Sequence, residues 1–338
     1  MNMTAAPALL ALDNVYKSFS VRTGSLLGIG TSRLQAVAGV SLIVERGETV
    51  GLVGESGCGK STLGRLIVGL ERPDSGDIRF NGQDLSRLPA GRLRRERRHL
   101  QLMFQDPYAS LDPRMQVIDI VAEPLEVQGI GTKVERRQRA RSLLEEVGLS
   151  RNVADRYPHQ FSGGQRQRIG LARALALNPT IVVADEPVSA LDVSVRAQVL
   201  NLMSRLQQAH RLTYIVISHD LSVVRYLADR IAVMYLGKIV EVGDSEAVFE
   251  TAAHPYTAEL LKAVPVPIPR IEKAKVGHAV AGEIPSAINP PSGCRFRTRC
   301  PLAQALCAEV EPPLRPMSSG QLAACHFPLQ AAAGAVRA

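Results

Sequence analysis

Gly54 to Ser61 reads GESGCGKS, and its residue types and spacing point directly to phosphate chemistry. Gly54, Gly57 and Gly59 let a loop wrap with its backbone N–H groups turned inward, in conformations a β-carbon disfavours. Lys60 adds a cation and Ser61 a hydroxyl where a helix should begin. N–H donors, a helix N-terminus and an ammonium together cradle phosphates, and the hydroxyl can ligate Mg²⁺. Lys60 would reach the β- and γ-phosphates. The pattern implies a bound nucleoside triphosphate, with Glu55, Ser56, Cys58 and Thr62 completing the loop. Cys58 is read as a passive small residue.

That chemistry needs a strand before the loop and a helix after it. ETVGLV (Glu48 to Val53) is a short β-branched apolar run that reads as a buried parallel strand, and TLGRLIVGL (Thr62 to Leu70) has helical spacing. TIVVADEP (Thr180 to Pro187) is a second apolar strand ending in two carboxylates. Asp185 is placed to hold the Mg²⁺ shell and Glu186 to polarise an attacking water as general base. YIVISHD (Tyr214 to Asp220) ends in His219, and LQLMFQDP (Leu100 to Pro107) ends in Gln105. That amide could sense Mg²⁺ and the water, although a glutamine in a loop is also ordinary. FSGGQ starts at Phe161, with Ser162 as a helix N-cap. Two glycines in a first helical turn are costly unless backbone approaches a ligand closely, so Gly163 and Gly164 mark a second anion site.

The 338 residues allow one large α/β domain plus a smaller one, and no apolar run is long enough to cross a bilayer. The amino terminus lacks a basic n-region and is read as no signal peptide. The net charge of +8 is densest in GRLRRERRHL, Gly91 to Leu100. No aromatic residue interleaves those arginines, so a solvated helix face is favoured over nucleic-acid binding. Along the chain, Val15 to Phe19 reads as the end of a first strand, and Arg22 to Leu34, with its three glycines, as a surface loop. Phe19 is either an aromatic for stacking on adenine or an ordinary core residue. Asn81-Gly82 is a turn signal. Lys133 to Leu149 is helical, inserted between two halves of an α/β core, with Gly148 at its end.

Taken in order, Gly54–Ser61, Gln105, FSGGQ, ADEP at 184–187, SALD at 189–192 and His219 resemble an ABC transporter ATPase subunit over roughly Leu9 to Phe249. The resemblance implies an α/β P-loop NTPase core with a parallel-rich sheet, an inserted helical subdomain at about 106–164, and ATP with Mg²⁺ as cofactors. It implies that two ATPase units, identical or homologous, face head to tail. Each ATP would then lie between Lys60 and Ser61 of one unit and Ser162, Gly163 and Gln165 of the other. By the same resemblance Glu186 is the base, His219 the γ-phosphate switch, and Asp192 part of the communicating loop. Phe19 takes the adenine position, and Gln105 joins Ser61 and Asp185 around Mg²⁺.

After Phe249, HPYT (254–257) and GEIPSAINPPSGCRFRTRCP (282–301) are similar to the tail of oligopeptide and dipeptide importer ATPases, which nickel and glutathione systems share. FQDPYASLDPRM (104–115) also resembles that group, beside the coupling helix of a membrane subunit. The implied assembly has two transmembrane permease subunits and, indirectly, a substrate-binding protein, with this chain peripheral on the cytoplasmic face. A soluble non-transport ABC ATPase is the competing class. The division expected is an ATPase domain over 9–253 and an extension over 254–338. The extension holds 12 of the 21 prolines and should be an irregular, separate appendage. Cys294, Cys300, Cys307 and Cys325 fall within it at gaps of five, six and seventeen residues. No short zinc knuckle exists there, so either a [4Fe–4S] cluster or four reduced thiols is expected, well away from the nucleotide.

Overall fold

The computed structural model describes residues 8–25, 28–106, 110–263 and 283–329. Residues 107–109 of the FQDPYASLDPRM segment and the first seven residues therefore lie outside the description, as do 264–282 and 330–338 of the extension.

Two sheets form the frame. An eight-stranded sheet runs in the order β11 (Arg315–Pro316), β12 (Leu322–Ala323), β10 (Lys238–Asp244), β9 (Arg230–Tyr235), β3 (Thr49–Val53), β8 (Thr213–Ser218), β7 (Ile181–Asp185) and β6 (Leu100–Met103). Its parallel heart is β3 (Thr49–Val53), β6 (Leu100–Met103), β7 (Ile181–Asp185), β8 (Thr213–Ser218) and β9 (Arg230–Tyr235). β3, β7 and β8 are buried at every position, as expected of near-continuous apolar runs covered on both faces. A four-stranded antiparallel sheet pairs β1 (Leu10–Ser25) with β2 (Gly28–Val44), and adds β4 (Ser75–Phe80) and β5 (Gln83–Asp84). The helix Lys60–Ile67 lies between the sheets, burying Leu63, Leu66 and Ile67 with Leu10, Leu52 and Ile217. Asn81 and Gly82 take positive φ (47° and 78°) between β4 and β5, the turn their sequence calls for.

The expected loop over Arg22 to Leu34 is instead the end of a long hairpin, with Arg22 opposite Thr31 and Ser25 opposite Gly28. Val21 and Thr31 carry β-branched preference in a ladder that the glycines weaken but do not break. Phe19 consequently sits inside β1 opposite Leu34, half-buried, with the Lys17 ammonium 5.3 Å from its ring centre.

Between β6 and β7 the chain inserts the helices Val117–Val127, Lys133–Glu146 and Gly163–Leu175, which share a core with Val199, Met203 and Leu206. Thr132 and Glu135 form a reciprocal capping box at the start of the second, and Gly148 (φ 78°) follows its end. No helix among the described residues is long and apolar enough to cross a membrane.

The extension is not a separate appendage. Its β12 (Leu322–Ala323) pairs with β10 (Lys238–Asp244), and β11 (Arg315–Pro316) pairs with β12, so both extend the central sheet. Both strands are two residues long, and Pro316 falls in β11 at the sheet edge, where a missing N–H is tolerated. Side chains hold them in place: fully buried Glu241 accepts the N–H groups of Ala253 and His254 and the Gln321 amide at 2.8–2.9 Å.

Candidate active site

Register alone gathers the predicted residues. Val53 pairs with Ser218, Asp185 with Ile217, and Met103 with Ala184. The carboxyl ends of β3, β8, β7 and β6 are thus level, and the residues that follow them emerge along one edge, where ligands bind in such sheets. The loop after β3 is closely packed against its surroundings. Gly54 and Gly59 have φ of 151° and 107°, and a β-carbon on either would lie 2.1 Å from a backbone oxygen, of Met234 and Ala36 respectively. Buried Lys60 donates to the Gly54 and Glu55 carbonyls at 2.7 and 2.8 Å. Cys58 is buried beneath the loop; burial pushes its thiol pKa up, against the lowering effect of Lys60. Its carbonyl anchors the Gly237 N–H at 2.8 Å.

Across the edge, the Ser61 hydroxyl donates to Asp185 Oδ1 at 3.1 Å. Burial raises the Asp185 carboxyl above its ordinary pKa, opposed by that Ser61 bond. A hydroxyl and a carboxylate side by side are hard oxygen donors that suit Mg²⁺. Glu186 turns the other way. It has φ 48°, with its N–H on the Ile217 carbonyl at 2.8 Å, a left-handed conformation uncommon for a residue with a side chain. Its carboxylate takes Gln105 Nε2 at 2.9 Å on one oxygen and His219 Nδ1 at 2.8 Å on the other. Gln105 therefore serves Glu186 in this arrangement, while Ser61 and Asp185 stand together without it.

Two family models match the chain: ABC transporter over residues 37–189, and oligopeptide/dipeptide transporter, C-terminal region, over 240–307. The oligopeptide transport ATP-binding protein AppF of Bacillus subtilis is 49% identical over 96% of this chain and 99% of its own length. A putative peptide import ATP-binding protein of Brucella ovis is 50% identical over 96% of this chain and 98% of its own. The chain belongs to the ABC transporter family. Its fold agrees with the ATP-binding cassette MJ0796, solved as a dimer in a post-hydrolysis state with ADP and Pi, at TM-score 0.61 and 31% identity over 70% of this chain and 98% of that one. As an ABC ATPase it binds ATP with Mg²⁺ and hydrolyses it.

The remaining motif residues of this ATPase stand apart from the phosphate loop. Ser162 caps the helix Gly163–Leu175 in a reciprocal box with Gln165, as the sequence implies. Both are exposed, and no hydrogen bond among the described residues joins 162–165 to Gly54–Ser61. The glycine pair has a packing cause that the sequence reading missed. A β-carbon on Gly164 would lie 2.2 Å from Val195 Cγ1, and one on Gly163 would lie 3.3 Å from Leu191. Asp192 is exposed at the start of the helix Val193–His210. The tie from that helix to the His219 segment is instead the ion pair of Arg196 with Asp220, at 2.6 Å.

Two residues of the HPYT and CRFRTRCP segments, to which the sequence reading gave no role, reach the loop from the extension. Tyr256 accepts the Glu55 N–H, and Arg299 pairs with the Glu55 carboxylate. Close by, Cys294, Cys300, Cys307 and Cys325 line one small cavity with His254 and His326, and no carboxylate faces it. All four are free thiols. Burial raises the pKa of Cys294, Cys300 and Cys325, the last to about 11. Among the described residues no three of these side chains form a metal-holding group as they stand.

Proposed function

We propose that this ATPase energises import of di- and oligopeptides. The observation that carries the reading is the match of residues 240–307 to the oligopeptide/dipeptide transporter C-terminal region, together with relatives named for peptide import across nearly the whole chain. The chain works peripherally on the cytoplasmic face, paired with a second ATPase, identical or homologous, and docked on two permease subunits fed by a substrate-binding protein. A groove of about 330 Å³ between β6 and the inserted helices supports that docking, lined by Leu102, Phe104, Leu111, Pro124, Val127 and Arg173, with Phe104 exposed. In a strain lacking the gene, uptake of labelled di- and tripeptides should be lost and then restored by the wild-type gene. Loss of nickel or glutathione uptake alone would move the cargo to that class.

Within the site, Lys60 and the loop 54–62 hold the phosphates, Ser61 and Asp185 hold Mg²⁺ with Gln105, Glu186 activates water, and His219 senses the γ-phosphate. Phe19 packs on adenine. Ser162, Gly163, Gly164 and Gln165 face the ATP of the partner subunit, and Asp192 lies at the contact between units. The exposed capping box supports this, since its groups point to solvent within one chain. We assign residues 9–253 to the ATPase domain, with 106–164 as its helical subdomain, and 254–338 to the extension.

For the extension we propose a [4Fe–4S] cluster on Cys294, Cys300, Cys307 and Cys325. Four cysteines lining one cavity without a carboxylate residue support it, because such clusters take thiolates. The cluster would supply a structural cross-link, ordering the tail without an electron-transfer role. Anaerobically purified protein should be brown and contain iron and sulfide. Stoichiometric zinc would replace the cluster with a zinc site, and four titratable thiols without metal would remove both.

A further inference from the structure

Two independent contacts cross from the extension to the phosphate loop, and both fall on Glu55. The phenol oxygen of fully buried Tyr256 accepts the Glu55 N–H at 2.9 Å. The Arg299 guanidinium grips the Glu55 carboxylate with both forks, at 2.7 and 2.8 Å. The Arg299 side chain is only 3% exposed and that of Glu55 20%, so water screens this pair little. Both anchors are themselves fixed. The Arg299 guanidinium lies 5.8 Å from the Tyr235 ring centre, and Tyr235, Tyr256 and Phe296 pack with centroids 4.6–5.3 Å apart. The Arg299 N–H donates to the Phe296 carbonyl at 2.9 Å, within the turn that joins Cys294 to Cys300.

The consequence reaches the ammonium of Lys60. Residue 55 is held by main chain and side chain together, which sets the direction of the Gly54 and Glu55 carbonyls. Those two carbonyls are the oxygens to which Lys60 donates. A chain of charge-assisted contacts therefore runs from the Cys294–Cys300 turn through Arg299, Glu55 and the loop carbonyls to the lysine. A loop held in one conformation before its ligand arrives binds more tightly, because less freedom is lost on binding. Glycines at 54, 57 and 59 leave this loop little rigidity of its own.

We propose that Arg299 and Tyr256 are positioning residues for ATP, through which the extension preorganises the phosphate loop and sets nucleotide affinity. The inference rests on Gly54–Ser61 binding the phosphates, and it adds a regulating contact from outside the ATPase motifs. Both residues act on Glu55 and neither bonds Ser61, Asp185 or Glu186, so their effect belongs in affinity and not in the chemical step.

The test measures binding of a fluorescent ATP analogue with Mg²⁺ to the full chain, and KM and kcat for ATP in the assembled transporter. Arg299→Ala should raise Kd and KM by about tenfold and leave kcat within about twofold. Arg299→Lys keeps the charge but not the fork and should recover part of the loss. Tyr256→Phe should weaken binding about threefold. Glu55→Gln combined with Arg299→Ala should be no weaker than Arg299→Ala alone, since both break one contact. A folded Arg299→Ala protein with wild-type Kd overturns the proposal, as does a lost kcat at unchanged KM or full additivity with Glu55→Gln. Should Arg299→Ala not fold, unchanged affinity in both Arg299→Lys and Tyr256→Phe overturns it equally. Wild-type protein that does not bind ATP refutes the phosphate-loop reading itself, a result distinguishable from any of these.

Discussion

The nucleotide edge and the extension meet at Glu55 but are built by different means. At the nucleotide edge, each functional side chain follows the end of a parallel strand, and the ladder sets its position. Shift β7 by one residue against β8 and Asp185 and Glu186 exchange their surroundings. In the extension the strands are two residues long, and side chains do the fixing: Arg299 on Glu55, Gln321 on Glu241, Lys238 on Glu311. Backbone-built sites should tolerate changes outside a few reacting groups. Side-chain-built regions should fail at single buried polar contacts. The predictions below test that contrast.

The largest effect is expected at the nucleotide edge and should leave the fold intact. Glu186→Gln keeps the shape of the side chain but removes its basic oxygen, so turnover should fall by about 10²–10³-fold. ATP binding should persist and an ATP-bound dimer accumulate, read by size-exclusion chromatography with ATP. Wild-type turnover would remove Glu186 from the chemistry. Where β10 anchors the extension, Glu241→Ala should instead act on stability. It strands the Ala253 and His254 N–H groups and the Gln321 amide in a buried site, costing roughly 2–4 kcal/mol in denaturant unfolding. A variant as stable as wild type would contradict the view that side chains hold this region. Lys60→Ala comes next, with affinity for a fluorescent ATP analogue about 10–100-fold weaker, because a charge-assisted phosphate contact is lost; equal affinity in variant and wild type would count against the assignment.

The same contrast explains what could be read from the sequence. GESGCGKS, ADEP and His219 were legible because apolar runs of strand length deliver the next residue to a known edge. The N-cap at Ser162 was legible because it is local. The hairpin over Arg22 to Leu34 was not, since its glycines signal a turn while its pairing partner lies in the neighbouring strand. Gly164 was read for ligand approach, and the packing of Val195, 31 positions on in sequence (195 − 164), which also excludes a side chain there, left no local signal. Most instructive is the tail. The expectation that the cysteines lie well away from the nucleotide followed from motifs ending at His219. Arg299, one residue before Cys300, nonetheless holds the phosphate loop. A contact across 244 residues between two common side-chain types leaves no pattern in a single sequence.

The smallest effect sharpens the comparison through pH. His254 caps the helix Pro255–Lys262 by accepting the Tyr256 N–H on Nδ1 at 3.0 Å, and its other nitrogen is held at the Ala324 carbonyl. The ring is fully buried, and burial lowers its pKa to about 3 from an ordinary 6.5. Between those values the unfolded chain binds a proton that the folded chain refuses, so acidification favours unfolding there. The slope approaches about 1.4 kcal/mol per pH unit for this one group. Glu241, whose backbone-bonded carboxyl is raised by burial, works the opposite way, since its folded form takes up a proton first. His254→Asn retains an oxygen that can cap the helix but has nothing to titrate. It should lose about 1–2 kcal/mol at pH 7.5, yet fall less steeply than wild type between pH 6.5 and 5 in urea unfolding. Parallel pH profiles for the two proteins would place the acid sensitivity elsewhere. A flatter profile for the variant would locate it in the side-chain-built half, directly beneath the tyrosine that holds Glu55.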